Sequence, residues 1–415
     1  MKQINSSEII GVLPAPPSKS MMIRALAASL LNEGMSQIIN PSDCDDSLTA
    51  IQIIEALGAD IRKENKTMKV TGGLNLKKSI LHCNESGLCM RLFTPVTALF
   101  NQVVTITGLR SLKSRPMGMM EEPLRKLGTH CLTDNGLAPI QVKGLIKGGK
   151  VNLEGSTSSQ FLTGLLMTLP LCKEDSELTV IGLKSRPYVE MTINLLERSG
   201  ITISPQKEYS FFSVPGNQSY HSTNYIIEGD WSGAAFFLVA GAVKGSIKIK
   251  NLYPDSLQAD KNILGVLESA GAEISTSPET VEVKHKRLDA FNFDATDCPD
   301  LFPPLTALAC CCKGCSIITG VDRLKHKESN RAKTLVSEFT KIGADIRIYG
   351  DRMKINGKKI KGGIIDSHND HRIAMAGAIA GLFSRQGVKI DNWQVVSKSY
   401  PGFYNDLKSI GGKVR

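Results

Sequence analysis

Residues 56–61 read ALGADI, and the same short phrase returns as KLGTHCL at 126–132, RSGITI at 198–203, SAGAEI at 269–274, KIGADI at 341–346 and SIGGKV at 409–414. The glycines concerned, Gly58, Gly128, Gly200, Gly271, Gly343 and Gly411, are separated by 70, 72, 71, 72 and 68 residues. In each copy a helix-like stretch ends in Gly, which can take the left-handed conformation that closes a last turn, and alternating residues then begin a strand. Six copies at nearly constant spacing make the chain six units of one length.

A second helix falls between these copies: SKSMMIRALAASLLNEG, SGLCMRLFTPVTALFNQ, STSSQFLTGLLMTLPLCKE, DWSGAAFFLVAGAVKG, DLFPPLTALACCCKG and NDHRIAMAGAIAGLFSRQG. Each opens on polar or small residues and continues almost wholly apolar. That is the pattern of a helix buried inside a domain with its first turn left at a surface or cleft. The repeating unit is therefore strand, buried helix, strand, outer helix, strand, an α/β architecture. A single core rarely exceeds about 250–300 residues, so six units over 415 residues are expected as two domains of three. The stretch PGNQSYHSTNYIIEG at 215–229 is the best crossing between them.

Composition bounds the function. The chain is 41% apolar and 22% charged, the balance of a soluble globular protein. The start, MKQINSSEIIG, lacks the apolar core of a signal peptide, and no apolar run approaches the roughly 20 residues that span a bilayer, which points to the cytoplasm. Lysine and arginine exceed acidic residues by ten, a surplus that suits nucleic acid, an anionic membrane or small anionic substrates. The ten cysteines are expected as free thiols. Cys310, Cys311, Cys312 and Cys315 contain a CxxC, yet the first three stand at the end of the fifth buried helix, where other units have Ala, Leu, Val or Phe. No second CxxC or paired histidines accompany them, so they read as small hydrophobes rather than metal ligands.

The openings of the buried helices carry side chains suited to phosphate. The first has Lys19, Ser20 and Arg24, the second Arg91, the third Ser158, Ser159 and Gln160, the fifth Asp300, and the sixth Asp370, His371 and Arg372. Helix N-termini add free N–H groups and partial positive charge. Two further clusters, SRPMG at 114–118 and KHKESNRAK at 325–333, strengthen the reading. Arg115 precedes a proline and so lies on an extended or turn segment. Glu328 and Arg331 are three apart and are expected to share a helix face.

PPSKSMMIRALA, LKSRPMG, GSTSSQFLTGLLMTLPL, KSRPYVEMT, CPDLFPPL, KHKESNR, NDHRIAMA and SKSYPGFYNDL, in this order, resemble the 5-enolpyruvylshikimate-3-phosphate (EPSP) synthases from about Pro16 to Phe403. The resemblance implies an inside-out α/β barrel of six βαβαββ repeats, three per domain, with the active site in the interdomain cleft. One domain would span 18–227 and the other 1–17 with 228–415. It implies a cytoplasmic, monomeric transferase of aromatic amino-acid biosynthesis, which moves the enolpyruvyl group of phosphoenolpyruvate to the 5-hydroxyl of shikimate 3-phosphate without cofactor or obligatory metal. Lys19, Gly87, Arg115, Gln160, Arg331, Arg372 and Lys398 would bind phosphoenolpyruvate. Ser20, Arg24, Ser158, Ser159, Gln160, Ser185, Tyr188, Asp300 and Lys327 would bind shikimate 3-phosphate. Asp300 would act as base at the 5-hydroxyl, with Glu328 and Lys19 handling protons at the methylene carbon and leaving phosphate. CNESGLCMR at 83–91 departs from the family, placing Glu85 where an Asn would align, and Arg323 stands where some members have Asn.

The nearest alternative is the sister enolpyruvyl transferase acting on UDP-N-acetylglucosamine. Its members commonly have a reactive Cys on the mobile loop and Asn after the first lysine, whereas this chain has SLKSRPMGMM and Ser20. A remote alternative, a nucleic-acid-binding protein, predicts basic residues interleaved with exposed aromatics. Aromatics are only 6%, and the cations head the apolar helices.

Overall fold

Twelve helices alternate between two environments. They are α1 (Lys19–Leu31), α2 (Asp45–Leu57), α3 (Gly87–Thr97), α4 (Glu121–Lys126), α5 (Gln160–Thr168), α6 (Arg186–Arg198), α7 (Trp231–Lys244), α8 (Ile263–Ser269), α9 (Phe302–Cys311), α10 (Arg331–Lys341), α11 (His371–Phe383) and α12 (Phe403–Ser409) in a computed structural model that describes residues 1–415, the side chain of Lys207 excepted. The odd-numbered helices are the apolar ones, and α3 and α7 illustrate the extreme. All eleven residues of α3 are buried, and all of α7 except its last, Lys244. The even-numbered helices are amphipathic: α6 buries Val189, Thr192, Ile193, Leu195 and Leu196 on one side.

Six four-stranded sheets accompany the helices. In each, one parallel pair continues into two antiparallel neighbours. In one sheet Ile80–His82 runs parallel to Val104–Thr107, which pairs antiparallel with Leu137–Lys143, and that with His130–Asp134. Helix α3 crosses between the parallel strands and α4 leads into the hairpin, giving the order βαβαββ. The six predicted glycines all have positive φ, from 82° at Gly200 to 137° at Gly58. At Gly58 the amide closes α2 on Glu55 and Ile54 carbonyls.

The chain divides into two units, Lys19–Ile227 and Met1–Ser18 with Glu228–Arg415. In the first, the sheet begun by Met35–Ile39 is completed by Asn224–Ile226, parallel to it. In the second, Lys2–Asn5 lies between Val388–Asp391 and Lys413–Val414, and Ile9–Pro14 forms the edge beside Gly245–Lys250. Each unit therefore holds three complete sheets. Cys310 and Cys312 are buried among apolar side chains with thiols pushed up to about 12 by burial. No group of three or more His, Cys, Asp or Glu among the described residues could hold a metal ion. None of the described helices is long and apolar enough to cross a membrane.

Candidate active site

In the unit Lys19–Ile227, Lys19 is the first residue of α1. Its Nζ lies 3.0 Å from Asp46 Oδ2, both side chains 14% exposed. Asp46 stands in the first turn of α2, where the helix dipole favours a carboxylate. Arg24, one turn on and 1% exposed, donates from Nε to Thr192 Oγ1 at 2.9 Å, from Nη1 to the Ser20 carbonyl at 2.8 Å and from Nη2 to the Tyr188 carbonyl at 3.2 Å. Burial pulls its guanidinium down to about 10, which still leaves it charged at neutral pH. Arg24 thus ties α1 to α6. Ser185, immediately before α6, is held in the left-handed region at φ 57°, a conformation that a β-substituted residue keeps only when its surroundings hold it there.

Arg91 on α3 donates from Nη1 to Gln160 Oε1 at 3.0 Å and from Nη2 to the Pro116 carbonyl at 3.3 Å. It joins the start of α5 to the segment after Arg115. Arg115 itself is extended (φ −82°, ψ 141°), as its place before proline predicts, and 6% exposed. Gly87 opens α3 beside all three side chains: a Cβ built there would sit 2.8 Å from Arg115 Nη1, 3.2 Å from Arg91 Nη1 and 3.8 Å from Gln160 Oε1. A side chain here would displace the guanidinium ends of Arg115 and Arg91. Glu85 pairs with Arg110 at 3.4 Å, and left-handed Asn84 donates its side-chain amide to Thr49 Oγ1 at 2.8 Å. Ser158 Oγ accepts from the Gln160 amide at 3.2 Å, while Ser159 makes no side-chain cap.

The unit Met1–Ser18 with Glu228–Arg415 brings together the other predicted residues. Asp300 lies in a 3-10 turn, Pro299–Leu301, ahead of α9 and makes no capping bond, so it does not serve as a helix cap. Its Oδ1 accepts from Arg331 Nη1 at 2.8 Å and Lys327 Nζ at 3.3 Å, and its Oδ2 from Arg372 Nη2 at 3.1 Å. Burial pushes this carboxyl up, but Arg372, Lys327 and Arg331 outweigh it and hold it well below the usual carboxylate range. Lys327 is lowered by the same burial, partly offset by Asp300.

Arg331 is 0% exposed. Besides Asp300 it meets Glu328 through Nη2 and grips Asp370 with two bonds, Nε to Oδ2 at 2.9 Å and Nη2 to Oδ1 at 3.2 Å. Burial lowers its affinity for its proton, but three carboxylates more than reverse that. Four of its five N–H groups are used, leaving one on Nη1. Arg372 Nη1 is buried and has no partner, an unsatisfied donor of the kind an anionic ligand fills. Lys398, 7% exposed, donates to the Asn369 carbonyl at 2.6 Å.

One expectation fails. Glu328 and Arg331 do pair, but not on a helix face: Asn330 caps Lys333 at 3.3 Å, so α10 begins at Arg331 and Glu328 lies in the preceding turn. The sequence reading also missed Asp46, the partner of Lys19, and Asp260. Asp260 is 1% exposed, accepts from the Ser232 hydroxyl, and is pushed up to about 6 by burial and the Asp300 charge, against the pull of Arg372. Arg323 is lowered by burial near Asp297 and Asp300.

The chain thus gathers two clusters of cations, one of them knotted around an ionised carboxylate. The family model of EPSP synthase (3-phosphoshikimate 1-carboxyvinyltransferase) matches residues 4–407. Curated relatives named 3-phosphoshikimate 1-carboxyvinyltransferase include one from Clostridium novyi, 38% identical over 423 residues with 99% of this chain and 97% of that protein covered. Another, from Methanocella arvoryzae, is 35% identical with 99% of each covered. Two solved structures of EPSP synthase from Acinetobacter baumannii superpose with TM-scores of 0.84 and 0.82 at 24% and 23% identity, covering 100% of this chain and 99% of each of theirs. This two-domain α/β fold is thus shared with those structures, and the chain belongs to the EPSP synthase family.

Proposed function

We propose that this protein transfers the enolpyruvyl group of phosphoenolpyruvate to the 5-hydroxyl of shikimate 3-phosphate, releasing phosphate, in the shikimate pathway of aromatic amino-acid biosynthesis. In this reading it is a cytoplasmic monomer. The observation that carries it is Asp300, an ionised carboxylate bound by three cations from two segments, in a chain of this family. Lys19, Gly87, Arg115, Gln160, Arg331, Arg372 and Lys398 hold phosphoenolpyruvate. Ser20, Arg24, Ser158, Ser159, Gln160, Ser185, Tyr188, Asp300 and Lys327 hold shikimate 3-phosphate.

The reaction is addition followed by elimination. The 5-hydroxyl oxygen bonds to the central carbon of phosphoenolpyruvate and gives its proton to Asp300, while the methylene carbon gains a proton from Glu328 or Lys19. In the second step the new methyl group returns a proton to the group that gave it, Glu328 or Lys19, as the carbon–oxygen bond to phosphate breaks and phosphate leaves beside Lys19. While Arg331, Arg372 and Lys327 all face Asp300, it is a weak base. Anionic substrates compete for those cations, and each one drawn toward a phosphate or carboxylate raises the basicity of Asp300 toward what proton abstraction requires.

The test is a phosphate-release assay with phosphoenolpyruvate and either shikimate 3-phosphate or UDP-N-acetylglucosamine. Release with shikimate 3-phosphate alone is expected; release with the nucleotide sugar alone would assign the sister reaction. Lys19→Ala and Asp300→Ala should each lose at least about 10²-fold in kcat with circular dichroism unchanged. Near-normal turnover in either would remove that residue from the mechanism.

A further inference from the structure

The turn that leads into α11 is held from outside the substrate-facing residues. Strand Gly363–Asp366 ends there, and His368 and Asn369 follow in the left-handed region, with φ of 48° and 59°. Asn and His tolerate that region better than most residues, but two in succession need support. The support comes from Glu338, fully buried on α10 and seven residues, or two turns, beyond Arg331 on the same side of the helix. Glu338 Oε2 accepts from the Asp366 amide at 3.0 Å, and its Oε1 lies 2.9 Å from His368 Nε2 and 2.6 Å from Lys341 Nζ. A carboxylate only accepts, so His368 donates from Nε2, as either the matching neutral tautomer or the imidazolium. The His368 amide closes on Asp366 Oδ1 at 2.8 Å, and Asp370 N on the Ser367 carbonyl at 2.9 Å.

What the turn presents faces the site. The Asn369 carbonyl receives Lys398 Nζ. Asp370 grips Arg331 and also caps α11 by accepting from the Arg372 amide at 3.0 Å. All three cations are ones assigned above to phosphoenolpyruvate.

We propose that Glu338 and His368 are positioning residues for phosphoenolpyruvate, locking the left-handed turn so that Asn369 and Asp370 aim Lys398, Arg331 and Arg372. The proposal rests on the reading given under Proposed function. Neither residue touches a reacting atom in this scheme. A loosened turn weakens the grip on one substrate while leaving the remaining machinery in place.

The test compares His368→Leu with His368→Gln. The two side chains are similar in size and bear the same backbone cost at a left-handed position, but only Gln offers a donor to Glu338. Losing a hydrogen bond to a buried carboxylate corresponds to a rise of about tenfold in the KM for phosphoenolpyruvate in the Leu variant. Its kcat and its KM for shikimate 3-phosphate should stay within about twofold, and the Gln variant should return to within about threefold of wild type. Amide hydrogen exchange at Asp370 and Arg372, read without substrates, should accelerate in Leu and not in Gln. Equal exchange and equal kinetics in the two variants, or a rise in both KM values together, would overturn the proposal. An inactive wild type would instead defeat the assigned reaction, and the exchange comparison would still decide the positioning role.

Discussion

Asp300 is ionised because three cations outweigh its burial, whereas at Asp260 burial and the Asp300 charge outweigh the pull of Arg372 and push it up to about 6. The two carboxyls respond oppositely to pH. Asp260 has a folded value above its unfolded one, so its contribution to stability is present below about pH 4 and lost as pH rises through about 6. Asp300 has the reverse sign: its contribution is present above the unfolded carboxylate range and lost as pH falls through its depressed folded value. Asp260→Asn removes only the first of these. Its melting temperature should therefore gain on wild type between about pH 4.5 and 7; a difference constant over that window would show that Asp260 does not titrate there. Gly87→Ala brings a methyl group against Arg115 Nη1. The obstructing atoms are the ends of flexible side chains, so melting should change little, while the KM for phosphoenolpyruvate should rise about fivefold or more. Unchanged kinetics would show that Arg115 gives way freely.

At the scale of elements, the helix contacts are stitched by buried polar pairs. Thr192 on α6 accepts from Arg24 of α1, donates to the Tyr188 carbonyl and lies 3.2 Å from Thr163 Oγ1 of α5. Thr192→Val keeps the shape and leaves the Arg24 Nε–H without its acceptor, at a cost of about 1–3 kcal/mol read from denaturant unfolding. A loss well under that range would mean that a water replaces the hydroxyl. The caps at Gly58, Gly128, Gly200, Gly271, Gly343 and Gly411 were legible because a helix end, a left-handed glycine and a new strand are local events that one short phrase encodes. The same holds for extended Arg115 before proline. The start of α10 was misread because the cap at Asn330 competes with the helical spacing of Glu328 and Arg331. Lys19 with Asp46, and Arg331 with Asp370, join residues 27 and 39 apart. No periodicity signals such pairs: an acidic first turn at Asp45 and Asp46 reads equally as a solvated helix start.

For the whole chain, the two units differ in how they are cut from the sequence. Lys19–Ile227 is continuous and has three sheets and a core of its own. Expressed alone it should give a cooperative thermal transition. Residues 228–415 alone lack the strand Lys2–Asn5 from the inside of one sheet and Ile9–Pro14 from the edge of another. They should melt without cooperativity until a peptide of residues 1–18 is added, and a sharp transition without the peptide would show that the strands are dispensable. The same threading has a consequence during biosynthesis. Residues 2–5 are made long before their neighbours, Val388–Asp391 and Lys413–Val414, which follow about 385–410 residues later. At about 5–20 residues per second, that wait is roughly 20–80 s, and in its later part the strand, with Ile4 its one buried residue, trails from a Lys19–Ile227 unit that has a core of its own. The nascent chain therefore carries an unpaired strand for that whole wait, a stage at which a chaperone has reason to hold it.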